Sequence, residues 1–164
     1  DLVLISGGSS VGTRDFTVDV LSDIKDSRIL VHGISLSPGK PTILARCMDK
    51  PVWGLPGQVT SAMVVVKIVV MSFIDRLKGL DRSDPLDHLT RVSACLTRNV
   101  ASAQGRRDFV RVQLERDKKQ RLTARPVLGK SGLIRTMVHA DGLLDIKEDV
   151  EGVEKESQVE IILI

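Results

Sequence analysis

Two glycine-rich loops, each between a short apolar run and a helical pattern, constrain the fold of this chain most strongly. The first occupies residues 7–12 and follows the apolar run 2–5, and the second occupies 54–57 and follows residues 51–53. Strand, glycine loop and helix occurring twice is typical of a mainly parallel α/β sheet. In such a sheet both loops follow the carboxyl ends of strands, where α/β folds bind their ligands.

The hydrophobic periodicity predicts two helices in this half of the chain. One is expected over about 15–26 and a longer one over 60–77. Thr60 or Ser61 is expected to cap the long helix, and Gly79 to close it. Its centre is apolar on nearly every face, which indicates burial between layers or at a subunit contact. The continuous run 2–5 predicts a strand buried on both faces, and further strands are predicted over 28–36, 42–47 and 51–53.

After the polar linker 81–87, the pattern changes to short strands without long helices. Strands are predicted over 90–97, 109–115, 121–128, 143–146 and 159–164, with one helical turn over 133–138. This spacing favours a small barrel or sandwich. The chain is therefore expected to contain two domains, an α/β domain over residues 1–84 and an all-β domain over 88–164.

Composition excludes several classes of protein. Aromatic residues make up 2% of the chain, so stacking of bases on aromatic platforms has little support, and no nucleic-acid partner is expected. Two cysteines form neither a disulfide framework nor a zinc motif, which indicates a reducing compartment. Residues 91–135 contain 12 basic and 3 acidic side chains. This segment is either an anion-binding face or an ordinary solvated surface.

No membrane segment is predicted. The longest apolar stretch, 62–74, is interrupted by Lys67 and Ser72, and it is shorter than the roughly 20 residues that a spanning helix needs. With no leader pattern either, a soluble cytoplasmic protein is expected. The chain opens directly on an apolar run without an initiator methionine, from which we expect it to be part of a longer polypeptide.

The loops and one turn predict an anion site. Glycine lets the backbone approach a phosphate, and the first turn of a helix offers free N–H groups, although tight turns alone also need glycine. Lys40 lies between Pro38 and Pro41, which suits either a fixed charge for a phosphate or oxyanion or an exposed turn lysine. Asp15 is either a helix N-cap or a ligand for Mg²⁺ beside a phosphate.

Together these motifs resemble the MoeA family, the molybdopterin molybdenumtransferases related to the E domain of gephyrin. The resemblance rests on the glycine-serine segment 6–12 with Asp15, the Pro-Gly-Lys-Pro turn 38–41, and Gly-Leu-Pro-Gly at 54–57 followed by Ser61. The motifs at 107–112, 131–134 and 140–144 look like the family's C-terminal barrel. The resemblance covers essentially the whole chain.

The resemblance implies a partial three-layer molybdopterin-binding (MogA-like) α/β domain followed by a small C-terminal β-barrel. It implies insertion of molybdate or tungstate into adenylated molybdopterin, with Mg²⁺-dependent loss of AMP. The partners implied are a pterin nucleotide and an oxyanion, and a homodimer is expected for the full-length protein. Asp15 and Lys40 would be catalytic, with Asp15 also on the metal. The cofactor-binding residues would be Gly7, Gly8, Ser10, Gly12, Pro38, Gly39, Pro56, Gly57 and Ser61.

Departures from the family pattern leave two other functions open. Gln58-Val59 follows the second loop where the family often has Asn-Pro, and Ser37 stands where a basic residue is common. Arg14-Asp15 is closer to the related molybdopterin adenylyltransferases. A gephyrin-like scaffold or binding module is the non-enzymatic alternative. Family members carry two N-terminal domains and the opening strands of the pterin-binding domain, including acidic residues important for activity. The resemblance places none of these in this chain, so the chain by itself is expected to be inactive.

Overall fold

In the computed structural model, short strands and helices form an α/β region followed by a β-barrel, described for residues 1–7, 16–127, 129 and 134–164. The strands are β1 (Val3–Ser6), β2 (Ser27–His32), β3 (Leu36–Ser37), β4 (Ile43–Cys47), β5 (Lys50–Leu55), β6 (Arg91–Leu96), β7 (Val100–Ala101), β8 (Arg107–Arg116), β9 (Leu122–Pro126), β10 (Gly142–Ile146), β11 (Gly152–Val153) and β12 (Gln158–Leu163). The α-helices are α1 (Thr17–Asp23), α2 (Val59–Val65), α3 (Met71–Leu77) and α4 (Ile134–Val138), and a π-helical turn, Val66–Val70, joins α2 to α3.

The first sheet has the order β1-β5-β4-β2, and only its β1–β5 pair is parallel. The prediction of a mainly parallel sheet is therefore wrong for the described strands. Met48 and Asp49 form the connection between β4 and β5, with φ angles of 47° and 60°. A two-residue turn with two positive φ angles reverses the chain, so it joins only antiparallel strands.

Strand β1 lies at the edge of this sheet, with β5 as its partner. Val3 is 43% exposed and Leu4 is 45% exposed. The prediction that this run is buried on both faces is therefore wrong in the described structure. Burial follows from neighbours on both sides, and an apolar run alone does not reveal whether a strand is central or at an edge.

The long helix covers nearly the predicted residues, but its N-cap residue is not one of those predicted. It begins at Val59, after Gln58, so neither Thr60 nor Ser61 is the N-cap residue. At the other end Gly79 has φ +79° and closes the helix as predicted. The N–H of Gly79 donates to the carbonyl of Arg76 (2.9 Å) and that of Leu80 to the carbonyl of Asp75 (3.0 Å). These two bonds form a Schellman motif, which satisfies the last carbonyls of the helix.

Only one side of this helix is buried, although burial on nearly every face was predicted. Val64, Val65, Ile68 and Val70 are buried, whereas the two methionines at positions 63 and 71 are exposed. Helix α1 is shorter than predicted, and Thr17 and Leu21 are its buried residues. In both helices an apolar stripe wider than the contact surface leaves part of its side chains in solvent.

The second half forms the predicted β-barrel. The strand order is β10-β12-β6-β9-β8, and the pairing of β8 with β10 closes the ring. Strand β8 closes it because its ten residues pair with β10 in the first half and with β9 in the second. Strands β7 and β11 were not predicted, since two residues each are too few to show alternation.

The two halves of the chain are joined by a strand pairing and by a common hydrophobic cluster. Strand β3, from the first half, pairs in parallel with the start of β8. One hydrophobic cluster contains Trp53 and Val65 from the first half together with Phe109, Leu143 and Ile162 from the second. The predicted domain limits, 1–84 and 88–164, stay a prediction. In the described part of the chain, no helix is long and apolar enough to cross a membrane.

Candidate functional site

The Pro-Gly-Lys-Pro turn is held by hydrogen bonds at both of its central residues. Thr42 donates to the carbonyl of Gly39 through its hydroxyl (2.6 Å) and its N–H (3.1 Å). The N–H of Ile34 donates to the carbonyl of Lys40 (2.9 Å). Gly39 has φ +140°, and a Cβ there would lie 2.7 Å from side-chain atoms of both Leu36 and Val65. The backbone of Lys40 is therefore fixed against the helix that follows the second glycine loop.

This turn forms one wall of a cavity of about 510 Å³ between the α/β region and the barrel. The predicted site residues Pro38, Gly39, Lys40 and Ser61 all line it. Residues 104–106, in the loop before β8, also line it. Among the described residues, the charged ones that line the cavity are Lys40 and Arg106, and the described lining contains no carboxylate. Lys40 and Arg106 make this concave surface basic, although Asp108 pairs with Arg106, and the positive charge favours the binding of an anion.

Arg106 is held in place by Asp108. Its Nη2 donates to Oδ2 of Asp108 (3.2 Å), and its Nε lies 3.0 Å from Oδ1. The hydroxyl of Ser102 also donates to Asp108 Oδ2 (2.6 Å), and the carboxylate is almost completely buried. The sequence reasoning did not include Arg106 in the site. The available signals were the adjacent Gly105 and the basic segment 91–135. Only the folded chain brings Arg106 to the cavity that Lys40 lines.

The neighbouring Arg107 has a different role. Its Nε and Nη2 donate to the two carboxylate oxygens of Asp145 at 2.7 and 2.6 Å. The hydrogen bond with Asp145 raises the pKa of Arg107 above its ordinary value. The guanidinium also lies over the ring of Phe109, 5.6 Å from its centroid. Both arginines are therefore ion-paired, but Arg107 does not line this cavity, whereas the guanidinium of Arg106 is half exposed at it.

The described part of the first glycine loop, Gly7, lies beside the second loop beyond the carboxyl ends of β1 and β5. The parallel pairing of β1 with β5 places residues 7 and 56 just beyond the same edge. A Cβ on Gly57 would lie 3.7 Å from the Cα of Gly7, and Pro56 beside it is buried. Gln58 and Ser61, which follow the second loop, line the cationic cavity. The contact between Gly7 and Gly57 is therefore followed directly along the chain by residues that line the cavity.

Four of the predicted site residues, Gly8, Ser10, Gly12 and Asp15, lie outside the described residues. Among the residues that the structure does describe, no group of three or more His, Cys, Asp or Glu side chains could hold a metal ion. The described part of the site does not by itself form a magnesium centre. Magnesium binding through Asp15 stays a prediction.

The arrangement matches two family models in chain order. The probable molybdopterin-binding domain matches residues 1–76, and the MoeA C-terminal region, domain IV, matches residues 93–164. A molybdopterin biosynthesis protein of Methanocaldococcus jannaschii is 34% identical over 100% of this chain and 36% of the relative. Molybdopterin molybdenumtransferase 2 of Mycobacterium tuberculosis is 30% identical over 98% of this chain and 39% of the relative.

Solved structures agree with these relatives. The crystal structure of the molybdopterin biosynthesis MoeA protein from Pyrococcus horikoshii has a TM-score of 0.76 at 34% identity, covering 99% of this chain and 37% of that one. A molybdenum cofactor biosynthesis protein from Pyrococcus furiosus has a TM-score of 0.72 at 27% identity, covering 100% of this chain and 49% of that one.

The fold and the comparisons define a class of protein in which a molybdopterin-binding-type α/β region is joined to a small β-barrel. Within that class, the chain belongs to the MoeA family. It spans between one third and one half of the length of the relatives and structures described above.

Proposed function

We propose that this chain is part of an enzyme of molybdenum cofactor biosynthesis that inserts molybdate, or tungstate, into adenylated molybdopterin. The observation that carries the proposal is the cavity lined by Lys40, Arg106 and Ser61. Molybdate and tungstate are tetrahedral dianions, and such a ligand needs cations and hydrogen-bond donors. The names of the relatives support the same substrate class.

In this proposal the cavity residues bind and orient the oxyanion. Lys40 supplies a compact charge from a turn whose backbone is fixed, and Arg106 supplies a guanidinium that Asp108 orients. The hydroxyl of Ser61, at the start of α2, is a further donor at the same cavity. Arg106 loses little side-chain freedom on binding because Asp108 already holds its guanidinium, which favours affinity.

The glycine loops would receive the phosphates of the pterin nucleotide. Gly7 and Gly57 are close enough for the backbones of both loops to approach one ligand, because neither carries a Cβ. Release of AMP, and Mg²⁺ held by Asp15, belong to this proposal as well. A homodimer of the full-length protein also remains a proposal, to be measured by light scattering.

Replacing Lys40 with alanine is expected to weaken molybdate or tungstate binding about tenfold or more, because a charge-assisted contact contributes about 1.5–3 kcal/mol. Calorimetric titration with tungstate measures this directly and does not require turnover. The matched control is Lys118→Ala, which removes an exposed lysine from the turn between β8 and β9. Unchanged tungstate affinity in Lys40→Ala would contradict the proposed anion site.

Replacing Arg106 with alanine is expected to weaken tungstate binding to a similar degree, and the Arg106→Lys variant to restore part of it. In the full-length protein, both Lys40→Ala and Arg106→Ala should reduce cofactor formation from adenylated molybdopterin and molybdate. Release of pyrophosphate from ATP and molybdopterin would instead indicate the adenylyltransferase alternative.

A further inference from the structure

The guanidinium of Arg106 uses one of its edges for Asp108. Nη2 donates to Oδ2 at 3.2 Å, and Nε lies 3.0 Å from Oδ1, so the carboxylate lies along the edge that these two nitrogens form. A guanidinium carries its N–H donors in a rigid plane, and both N–H groups of Nη1 lie away from this edge. Asp108 therefore leaves the Nη1 end of Arg106 for an anion in the cavity.

Ser102 holds the oxygen to which Arg106 donates. Its hydroxyl donates to Oδ2 of Asp108 at 2.6 Å, so this oxygen accepts from both side chains. The side chain of Asp108 is only 6% exposed, which leaves little room for water to replace a lost donor. A buried carboxylate needs such donors because burial removes its hydration. The direction of the Asp108 carboxylate therefore depends on Ser102.

The backbone of Ser102 is anchored to the turn that precedes β11. Its N–H donates to the carbonyl of Glu151 at 2.8 Å, directly after the pairing of β7 with β11. At the other end of the same loop, the N–H of Gly105 donates to the carbonyl of Glu148 at 2.9 Å. The loop between β7 and β8 is thus held at both ends, and Ser102 presents its hydroxyl from a fixed backbone.

Asp108 is also fixed relative to the turn that carries Lys40. In the parallel pairing of β3 with β8, Asp108 lies opposite Ser37. Ser37 is followed directly by the turn 38–41, which forms one wall of the cationic cavity. The carboxylate that holds Arg106 therefore belongs to a strand whose register against the Lys40 turn is fixed.

We propose that Ser102 is a positioning residue of the oxyanion site and acts through Asp108 on Arg106. This inference rests on the proposed function, since it takes the ligand of the cavity to be molybdate or tungstate. Ser102 is not among the described residues that line the cavity, so it does not act by contact with the ligand. Without its hydroxyl the carboxylate loses its fixed direction, and Arg106 must be ordered when the anion binds, which costs affinity.

Ser102→Ala is expected to weaken tungstate binding about fivefold, because a hydrogen bond to a charged group is lost. Calorimetric titration with tungstate measures the affinity, and far-UV circular dichroism checks that each variant folds. Ser102→Thr keeps a hydroxyl and should restore most of the affinity. The matched control is Ser83→Ala, which removes a hydroxyl 3.4 Å from a carboxylate oxygen of Asp87 in the linker and should leave the affinity unchanged.

A double variant separates positioning from an independent effect. In Arg106→Ala there is no guanidinium to position, so adding Ser102→Ala should change the tungstate affinity no further. An equal loss in both backgrounds would show that Ser102 acts independently of Arg106 and would overturn the proposal. Unchanged affinity in Ser102→Ala alone would overturn it as well.

A measurement without ligand distinguishes this inference from the proposed function. The Nε–H group of Arg106 gives an NMR signal that is assigned by its loss in Arg106→Lys, and its hydrogen exchange should be about fivefold faster in Ser102→Ala. If exchange becomes faster but Lys40→Ala binds tungstate as the unmodified protein does, the proposed function fails, and this inference with it. If Lys40→Ala weakens binding but Ser102→Ala changes neither exchange nor affinity, the proposed function stands and this inference alone is refuted.

Discussion

At the scale of single residues, a glycine and one of two adjacent arginines define the cationic cavity. Gly39 lets the turn that carries Lys40 pack directly on Leu36 and Val65. Arg106 reaches the cavity, whereas Arg107 is engaged with Asp145. The sequence has no feature that separates these two arginines, since Asp145, the partner of Arg107, and Lys40, which lines the cavity with Arg106, are both distant along the chain.

Gly39→Ala is expected to destabilise the protein by about 2–4 kcal/mol, since it adds a clash with two side chains to the strain of a positive φ. Urea denaturation measures the change. Gly79→Ala is the matched control, because Gly79 also has a positive φ but has nothing within 4 Å of an added Cβ. It should lose only about 1 kcal/mol. Equal losses in the two variants would show that the packing of Gly39 is unimportant.

At the scale of elements, short turns decide how the strands pair. The two-residue turn at Met48 and Asp49 makes β4 and β5 antiparallel, which overrode the parallel pattern that the repeated loops suggested. The turn between β8 and β9 is held by Asp117, whose Oδ1 accepts from the N–H groups of Lys119 (2.8 Å) and Arg121 (3.0 Å). These hydrogen bonds, led by the one from the Arg121 backbone, lower the pKa of Asp117.

Asp117→Asn is expected to lower the thermal stability at neutral pH, and this difference should disappear in acid. A lowered pKa in the folded state stabilises the protein fully above the unfolded pKa, about 3.9, and the contribution is lost as pH falls through the folded value. Melting temperatures of both proteins between pH 7 and pH 2 test this. Glu151→Gln, at an exposed residue in another loop, is the control. A difference that persists unchanged to pH 2 would contradict the assignment.

At the scale of the whole molecule, the α/β region and the barrel unfold together if their shared core determines stability. The cluster that contains Trp53 also contains Phe109 and Leu143 from the barrel, and β3 pairs with β8. Contacts of this kind couple neighbouring units into one cooperative transition. Ile161 belongs to the second cluster, inside the barrel, and is fully buried.

Ile161→Ala is therefore expected to destabilise the whole molecule by about 2–5 kcal/mol through the cavity that it creates. The fluorescence of Trp53, in the α/β region, should report the same shift as far-UV circular dichroism. Val138→Ala, at a side chain 74% exposed, should leave both transitions in place. An unchanged Trp53 transition in Ile161→Ala would show that the two regions unfold independently.

The sequence by itself was sufficient to predict the order of the two regions, the long helix that ends at Gly79, the barrel and the family. These follow from local patterns such as periodicity, turn residues and short motifs, which do not depend on distant neighbours. The tertiary structure alone decided the antiparallel pairing, the edge position of β1 and the pairing of β3 with the barrel. It also decided that Arg106 lines the cavity with Lys40 whereas Arg107 is engaged with Asp145. These properties depend on contacts between residues far apart in the chain, and no local pattern encodes them.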